Sequence, residues 1–319
     1  MKISVFGCGR WGSFISWYLI NHKHDVCVWG NEGHKSFEVL KKFNKNDYVE
    51  FSENLYLTSS LEEAVNHCDI AIISISSQGL RDFIEKLKKY DIKDKTIVLC
   101  MKGIENSTGK RLSEVLIESG IEKDKIAVWV GPGHIQEFVK GLPNCMIIDG
   151  YNKTLVEYLA DSFRSELIRF YYGDDIIGTE IGAASKNVMG IAAGMLDGAG
   201  YSTLKGALMA RGAREVARLI KALGGNELSA YGLCHLGDYE TTLFSEYSNN
   251  RNFGIKFVKG ESFEKLAEGV TTACALKKLG EQYNVDLPIT NAVYSILYDE
   301  KKPMEVFLKL FSRSTRKEF

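Results

Sequence analysis

A glycine-rich turn near the start of the sequence could hold a phosphate-bearing cofactor. Directly after the apolar run 2–6 comes Gly7-Cys8-Gly9-Arg10-Trp11-Gly12, which has the G-x-G-x-x-G spacing. The first glycine permits a tight turn, the second lets backbone approach a pyrophosphate, and the third lets strand and helix pack closely. The helix that follows offers free N–H groups to the anion. A plain strand–helix turn is the alternative, but a strand–helix series follows and favours nucleotide binding.

A lysine within a glycine series could move a proton. Lys186 fills the gap in a set of glycines spaced by four or eight residues: Gly178, Gly182, Gly190, Gly194 and Gly198. Residues four apart share a helix face, and each glycine costs a helix about 1 kcal/mol relative to alanine. A backbone or a ligand must therefore approach this face. A partly desolvated lysine there suits general acid–base work, whereas the alternative is glycine packing with Lys186 pointing outward.

Three further segments follow predicted strands or turns. Lys102 comes directly after an apolar strand, so its ammonium should point into the crevice where open α/β sheets bind ligands. An exposed turn lysine is the alternative. Gly131 and Gly133 follow another strand and offer backbone donors. Asp238 follows a turn, where it could instead cap a helix.

An arginine between two asparagines could bind a phosphate. Arg251, flanked by Asn250 and Asn252, presents a fork of donors suited to a phosphate monoester. A surface ion pair is the alternative for an isolated arginine. On the cofactor side, the second predicted strand ends at Asn31 without the acid that holds the ribose of NAD. The choice between NAD and NADP stays open, with Asn31 and its neighbours slightly favouring NADP.

The elements that position these residues fall into two halves. Short apolar runs at 2–6, 25–29, 69–75, 96–100, 126–130 and 144–149 alternate with helical patterns. This alternation predicts an α/β fold with a doubly wound (Rossmann-like) parallel sheet, closed by a strand at 167–172. From residue 174 onward, helical patterns occupy 176–198, 204–224, 262–282 and 289–312. We therefore predict a dinucleotide-binding domain over 1–173 and an all-α substrate-binding and catalytic domain over 174–319.

The composition excludes several classes of protein. The 319 residues are 45% hydrophobic and 25% charged, with a formal net charge of -1, which is ordinary for a globular chain of about two domains. A net charge near zero argues against nucleic-acid or membrane partners. Seven scattered cysteines favour free thiols in a reducing compartment over disulfides or a bound metal. With no apolar run of membrane-spanning length and no signal segment before the first strand, we expect a cytoplasmic protein.

Taken in order, these segments resemble the NAD(P)-dependent glycerol-3-phosphate dehydrogenases over almost the whole chain. The resemblance rests on the turn 7–12, the run 182–188 around Lys186-Asn187-Val188, and several short motifs: Lys102-Gly103-Ile104-Glu105, Gly131-Pro132, Arg211-Gly212, Gly237-Asp238, Arg251-Asn252 and Glu268-Gly269-Val270-Thr271-Thr272. The ordered set of Lys-Asn-Val, Arg-Gly, Gly-Asp and Arg-Asn is more specific than the dinucleotide turn.

The resemblance implies a reaction and a set of roles. The reaction is reversible reduction of dihydroxyacetone phosphate to sn-glycerol 3-phosphate by hydride transfer from NAD(P)H, feeding glycerophospholipid synthesis, in a homodimer without metal. Lys186 is implied as proton donor and acceptor at the C2 oxygen, with Lys102 and Asp238 as further catalytic residues. The implied substrate contacts are Lys102, Gly131, Gly133, Lys186, Asn187, Asp238, Thr242, Asn250, Arg251 and Asn252. The implied cofactor contacts are Gly7, Gly9, Arg10, Trp11, Gly12, Asn31, Lys102, Ile135, Arg251, Leu266 and Glu268.

Three positions depart from the family pattern. Thr203 stands where asparagine is usual, Gly133 replaces a serine or threonine, and Asn250 replaces a serine. These departures concern substrate contacts rather than Lys186, so two alternatives stay open. One is a related two-domain hydroxy-acid dehydrogenase, for which a phosphate site at Arg251 is unneeded. The other is a catalytically silent module that senses NAD(P)H.

Overall fold

The chain forms two compact units in a computed structural model that describes residues 1–52, 55–315 and 317–318. The first unit comprises Met1–Lys102 and Lys110–Glu180, and the second comprises Gly103–Gly109 and Ile181–Phe319. This division falls a few residues after the domain boundary predicted at 173–174, which stays a prediction. None of the helices that the structure describes is long and apolar enough to cross a membrane.

Among the described residues of the first unit, eight strands form one sheet. They are β1 (Lys2–Phe6), β2 (Asp25–Trp29), β3 (Tyr56–Thr58), β4 (Ile70–Ile73), β5 (Thr96–Leu99), β6 (Ile126–Val130), β7 (Asn144–Gly150) and β8 (Ile168–Tyr172). Their order is β3-β2-β1-β4-β5-β6-β7-β8, so the strand order reverses between β1 and β4, the place where doubly wound sheets bind dinucleotides. All neighbouring strands are parallel except β6 and β7, which are antiparallel. The predicted doubly wound α/β class is confirmed, and β7 departs from the expected parallel direction.

Helices cover both faces of this sheet. They are α1 (Arg10–Asn21), α2 (Lys35–Phe43), α3 (Leu61–His67), α4 (Leu80–Leu87), α5 (Leu112–Glu118), α6 (Ile135–Phe138) and α7 (Lys153–Phe163). Strand residues alternate between two cores, since Ile3, Val5 and Ile72 belong to one buried cluster, and Phe6 and Ile73 belong to the other. Such continuous apolar strands are typical of a sheet buried on both faces. All four tryptophans lie in this unit: Trp11, Trp17, Trp29 and Trp129.

The second unit is helical in its described part, as predicted. Its long elements are α8 (Ile176–Gly198), which begins in the first unit, α9 (Lys205–Ala222), α10 (Asn249–Lys259), α11 (Gly269–Gln282), α12 (Pro288–Tyr298) and α13 (Pro303–Phe311). Proline stands at the start of α12 and α13, where its missing N–H costs nothing. A short π-helical turn, Glu240–Phe244, lies between α9 and α10; such turns occur frequently at functional sites.

Candidate active site

The glycine turn between β1 and α1 has the shape of a phosphate cradle. Gly7 has a φ of 116°, and a Cβ there would lie 2.2 Å from the carbonyl oxygen of Ser74. A Cβ at Gly12 would lie 1.8 Å from the carbonyl oxygen of Gly7, whereas a Cβ at Gly9 would meet nothing within 4 Å. Gly9 precedes α1 and supplies no side-chain cap, so the first N–H groups of the helix have no side-chain acceptor at that position. The turn therefore fits the pyrophosphate of a dinucleotide.

Three other predicted cofactor contacts, Arg10, Trp11 and Ile135, lie in the first unit. Arg10 donates from Nη2 to Oε1 of Gln136 at 3.3 Å, and its guanidinium lies 5.3 Å from the ring centroid of Tyr48. Burial lowers the pKa of Arg10, and the arginine remains a cation at neutral pH. The ring of Trp11 packs on Phe14, with centroids 5.0 Å apart. Ile135 is buried at the start of α6.

The end of β2 leaves the ribose position open. Asn31 is exposed just beyond Trp29, and the nearby Glu32 is bound to Lys41 through a contact of 3.4 Å. An exposed salt bridge of this kind is weak. The described residues at this position are compatible with either NAD or NADP.

Lys102 lies in the first unit and is held by the loop after β6. Its Nζ donates to the carbonyl oxygen of Gly131 at 2.8 Å. Gly133, two residues on, has a φ of 135°, and a Cβ there would lie 2.3 Å from the ring of Phe138. The departure from serine or threonine at 133 thus has a local physical reason, because this loop conformation leaves no room for a side chain.

In the second unit, Lys186 and Asp238 form a buried ion pair. Nζ of Lys186 lies 2.9 Å from Oδ2 of Asp238 and donates to Oγ1 of Thr242, also at 2.9 Å. The lysine side chain is 11% exposed and the aspartate side chain 1% exposed. Asp238 also accepts a hydrogen bond from the hydroxyl of Thr241. A buried cation with a fixed carboxylate partner and one hydroxyl acceptor is positioned to hold and move a proton.

A buried histidine lies behind this pair. His235 makes a hydrogen bond of 2.9 Å between Nδ1 and the carbonyl oxygen of Gly182, and one of 2.7 Å between Nε2 and the hydroxyl of Tyr239. Burial lowers the pKa of His235 to about 4, so the imidazole is neutral at physiological pH. It therefore adds no charge beside Lys186 and Asp238, and it fixes the chain turn that carries the aspartate.

The glycine face of α8 packs closely against the segment 234–255. A Cβ at Gly194 would lie 2.0 Å from the carbonyl oxygen of Arg251, and one at Gly198 would lie 2.8 Å from that of Ile255. A Cβ at Gly190 would lie 2.8 Å from Cγ2 of Thr242. The glycines thus allow close backbone packing, as the packing interpretation of this series predicts. That interpretation also has Lys186 pointing outward, and this part is wrong, because the lysine is buried against Asp238.

An acidic residue on α8 anchors the predicted phosphate-binding arginine. Oδ2 of Asp197 accepts a hydrogen bond of 2.7 Å from Nε of Arg251, and Oδ1 lies 3.0 Å from Nζ of Lys205. Burial raises the pKa of Asp197, but hydrogen bonds from Ser202, Arg251 and Lys205 together lower it below its usual range. Arg251 also donates from Nη1 to the carbonyl oxygen of Ser245 at 3.4 Å. The remaining guanidinium nitrogen, Nη2, makes no hydrogen bond within the described part of the chain.

The asparagines around Arg251 have different surroundings. Nδ2 of Asn250 donates to Oδ1 of Asn187 at 3.0 Å, and its Oδ1 accepts from the backbone N–H of Gly269 at 2.9 Å. Asn250 therefore joins α8 to the start of α11, which is a positioning contact. Nδ2 of Asn252 donates to the carbonyl oxygen of Glu246 at 2.7 Å.

The two cofactor contacts predicted in the second unit lie just before α11. Leu266 is 63% exposed, and its carbonyl oxygen accepts from Asn249. Glu268 precedes the first residue of α11, and its carbonyl oxygen accepts from Thr272. The second unit thus brings together Lys186, Asn187, Asp238, Thr242 and Asn250, while the first unit holds the glycine turn, Lys102 and Gly131.

The residues that sequence reasoning missed are Asp197, Lys205 and His235. A signal for Asp197 was present, because α8 is apolar or small along most of its length and carries only three charged residues, Glu180, Lys186 and Asp197. Charged side chains on a buried helix are almost always paired. Glu180 accepts from Arg111 at 2.8 Å, and the other two are paired as described above.

Two family models match this chain in succession. The model of the N-terminus of NAD-dependent glycerol-3-phosphate dehydrogenase matches residues 2–156, and the model of the C-terminus matches residues 175–308. Individual relatives agree with these matches over the full length. A glycerol-3-phosphate dehydrogenase (NAD(P)+) of a Thermoanaerobacter species is 35% identical, covering 100% of this chain and 99% of the relative.

A second relative and a solved structure give the same result. A glycerol-3-phosphate dehydrogenase (NAD(P)+) of Chlorobium phaeobacteroides is 34% identical, covering 100% of this chain and 99% of the relative. The crystal structure of glycerol-3-phosphate dehydrogenase from Coxiella burnetii is similar with a TM-score of 0.88 and 25% identity, covering 98% of each chain.

Proposed function

The chain belongs to the NAD-dependent glycerol-3-phosphate dehydrogenase family, and from this membership we propose that it interconverts dihydroxyacetone phosphate and sn-glycerol 3-phosphate. It is an NAD(P)-dependent oxidoreductase whose product is the phosphorylated backbone needed for glycerophospholipid synthesis. The observation that carries the proposal is the buried pair of Lys186 and Asp238 at 2.9 Å, in the same unit as an arginine fixed by Asp197.

Lys186 is the group that supplies the proton. Reduction of the C2 carbonyl places negative charge on its oxygen, and a nearby ammonium both stabilises that charge and can protonate it. Asp238 and Thr242 hold the ammonium through contacts of 2.9 Å each, so that the proton faces a defined direction. In the reverse reaction, the neutral amine accepts the proton of the C2 hydroxyl.

Arg251 is the group that binds the substrate phosphate. Its Nε is committed to Asp197 at 2.7 Å, which fixes the plane of the guanidinium and leaves Nη2 for a phosphate oxygen. A charge-assisted bond from a planar donor gives both affinity and orientation. Binding energy from the phosphate then orients the carbonyl three atoms away. Asn250 keeps Asn187 in place beside Lys186.

The glycine turn 7–12 fits the cofactor, with Arg10 and Trp11 beside it. When bound, the nicotinamide supplies the hydride that is transferred to the carbonyl carbon. The residues of this chain bind the pyrophosphate at the open Gly9 position and through the N–H groups of α1. Lys102, which donates to the carbonyl oxygen of Gly131 at 2.8 Å, is the further catalytic cation that the family resemblance implies.

The direct test is the oxidation of reduced nicotinamide, followed by its absorbance, with each candidate substrate. We expect turnover of dihydroxyacetone phosphate with NADH, NADPH or both, and little turnover of unphosphorylated dihydroxyacetone or small keto acids. Turnover of a keto acid without turnover of dihydroxyacetone phosphate would favour a hydroxy-acid dehydrogenase. Cofactor binding without oxidation by any of these substrates would favour the silent sensing module.

The phosphate role of Arg251 has its own test. We expect Arg251→Ala to raise the KM for dihydroxyacetone phosphate by about 10- to 100-fold, because one charge-assisted contact contributes about 1.5–3 kcal/mol. The affinity for NAD(P)H, measured by titration, should change by less than about three-fold. An unchanged KM combined with weaker cofactor binding would contradict the phosphate assignment. Arg164→Ala is the matched control, because Arg164 is 72% exposed in the first unit.

We also propose a cytoplasmic homodimer with a dinucleotide-binding domain at 1–173 and a catalytic domain at 174–319. The family resemblance supports the dimer, and the seven free cysteines support a reducing compartment. Sedimentation at several protein concentrations tests the dimer, and a single monomeric species would overturn it.

A further inference from the structure

A cavity of about 730 Å³ lies in the second unit, apart from the residues assigned to the reaction. It is bordered by α9, by the start of α12, by α13 and by the segment after α13. Its size is within the range of small-molecule sites in proteins. None of the described residues that line it belongs to the predicted substrate or cofactor contacts.

The cavity wall carries an excess of positive charge. Three arginines on α9 are spaced by three and four residues and so share one helix face: Arg211, Arg214 and Arg218. Arg313 and Lys317 add two cations from the segment after α13, against two lining acids, Asp286 and Glu318. Among the lining residues that the structure describes, five cations and two acids leave a net charge of +3, although the whole chain has a net charge of -1.

The acids nearby cancel only part of this charge. Asp286 pairs with Arg313 at 2.5 Å, and its backbone carbonyl accepts from Arg218 at 2.7 Å. Glu215, which lies next to Arg214 in sequence, is turned into the protein. There it accepts three hydrogen bonds from Ile289 and Thr290 at the start of α12. Burial lowers the pKa of Arg218. The carboxylates of Glu215 and Asp286 raise it, and the positive charges of Arg214 and Arg211 lower it further.

The rest of the wall is mostly apolar. Buried side chains of Leu208, Ile289 and Phe307 line it, together with the partly exposed Leu310. The described lining includes only two uncharged polar side chains, Asn284 and Ser314. A sugar or a base would find few uncharged hydrogen-bond partners along this part of the wall, whereas an alkyl chain would be removed from water.

We propose that this cavity binds a single-chain amphiphile with an anionic head group, a phosphate or a carboxylate. The head contacts the cationic face of α9 together with Arg313, and the chain lies along Leu208, Ile289 and Phe307. The proposal concerns binding only and does not depend on the reaction proposed for the chain.

Isothermal titration calorimetry on the full chain tests the proposal with octyl phosphate, octanoate, octyl glucoside and inorganic phosphate. We expect saturable one-to-one binding of octyl phosphate or octanoate, at least about ten-fold tighter than octyl glucoside or inorganic phosphate. The order of the two anionic probes decides between a phosphate and a carboxylate head. Equal affinity for octyl glucoside would overturn the anionic assignment.

Three variants and a control assign the binding to this cavity. Arg214→Gln and Arg313→Gln should each weaken the anionic probe about ten-fold, and Ala207→Trp, which adds bulk to the lining, should weaken the octyl probe but not inorganic phosphate. Arg164→Gln, in the first unit, should change nothing. Thermal unfolding verifies that each variant is folded. Affinities within two-fold of wild type in all three cavity variants would refute the site. The proposal would also be refuted if no probe bound the wild type saturably. A second copy of the chain seated over the cavity would give this result.

Discussion

Asp197 offers the sharpest test of the phosphate-binding role proposed for Arg251. The carboxylate joins two cations, Arg251 at 2.7 Å and Lys205 at 3.0 Å, and all three side chains are less than a fifth exposed. In Asp197→Asn the shape is kept and the charge is lost. Removing one partner of a buried pair costs about 3–5 kcal/mol.

The lower end of that range is expected for this variant. Arg251 keeps its bond to the carbonyl oxygen of Ser245. Lys205 keeps the carbonyl oxygen of Leu243 at 3.3 Å and the ring of Phe244 at 4.5 Å. We therefore expect a loss of about 3 kcal/mol in the free energy of unfolding of the second unit, measured by denaturant titration at neutral pH.

The kinetic effect follows from the freedom that Arg251 gains. Ordering a long side chain on binding costs about 0.5–1.5 kcal/mol, so the KM for dihydroxyacetone phosphate should rise by up to about ten-fold. The kcat should stay within about three-fold, because the pair of Lys186 and Asp238 is untouched. Asp161→Asn, at a residue 55% exposed in the first unit, is the matched control.

Two results would refute this reasoning. A lower kcat with an unchanged KM would mean that Asp197 acts on the proton-transfer group rather than on Arg251. A second check uses pH. The folded pKa of Asp197 is lowered, so its stabilisation is present above the unfolded pKa of about 3.9 and is lost as the pH falls through the folded value. The stability difference between wild type and variant should therefore shrink only below about pH 4; a difference that shrinks near neutral pH would point to another group.

Three further predictions concern proton transfer, packing and pH. Lys186→Ala should lower kcat by about 10³ with NAD(P)H affinity within about three-fold; steady-state kinetics showing less than a ten-fold loss would exclude the proton-transfer role. Gly194→Ala should lower stability by about 1–3 kcal/mol, because its Cβ would meet the carbonyl oxygen of Arg251, whereas the control Gly206→Ala, whose Cβ meets nothing within 4 Å, should not. Burial raises the pKa of Asp149 to about 6. The free energy of unfolding of the wild type should therefore fall by about 3 kcal/mol, relative to that of Asp149→Asn, as the pH rises from about 4 to about 6. Denaturation at several pH values shows this, and parallel curves for the two proteins would contradict it.

Periodicity predicted the long elements and missed the short or polar ones. The apolar runs of β1, β4 and β5 and the 23-residue α8 were found because each has a continuous pattern. The three-residue β3 is too short for any pattern, and α2 carries only two buried residues, Phe37 and Leu40. The predicted helix over 262–282 begins only at Gly269, and the polar start of α10 hid that helix altogether. The direction of β7 could not be predicted, because an apolar run has the same pattern in both directions.

The sequence predicted candidate site residues, and their roles remain predictions, but it did not predict how these residues pair. Lys186 was singled out from the glycine series. Its contact with Asp238 is made only by tertiary folding, so no local sequence spacing could predict it. Asp197 shares its helix with Lys186, but its role depends on Arg251, which is 54 residues away. Sequence patterns report the faces of helices and strands, whereas the contacts that orient a functional group come from elements brought together only in the fold.

Because all four tryptophans lie in the first unit, intrinsic tryptophan fluorescence reports on that unit. Trp129 is fully buried against Phe163 and Phe170, and Trp11 follows the glycine turn directly. Indole emission therefore follows melting of the sheet-containing unit alone, while the helical unit is silent at that wavelength. Reduced nicotinamide absorbs where indoles emit, so cofactor docking near Trp11 should quench this emission by energy transfer. Occupancy of the turn can thus be read without turnover and without an added dye.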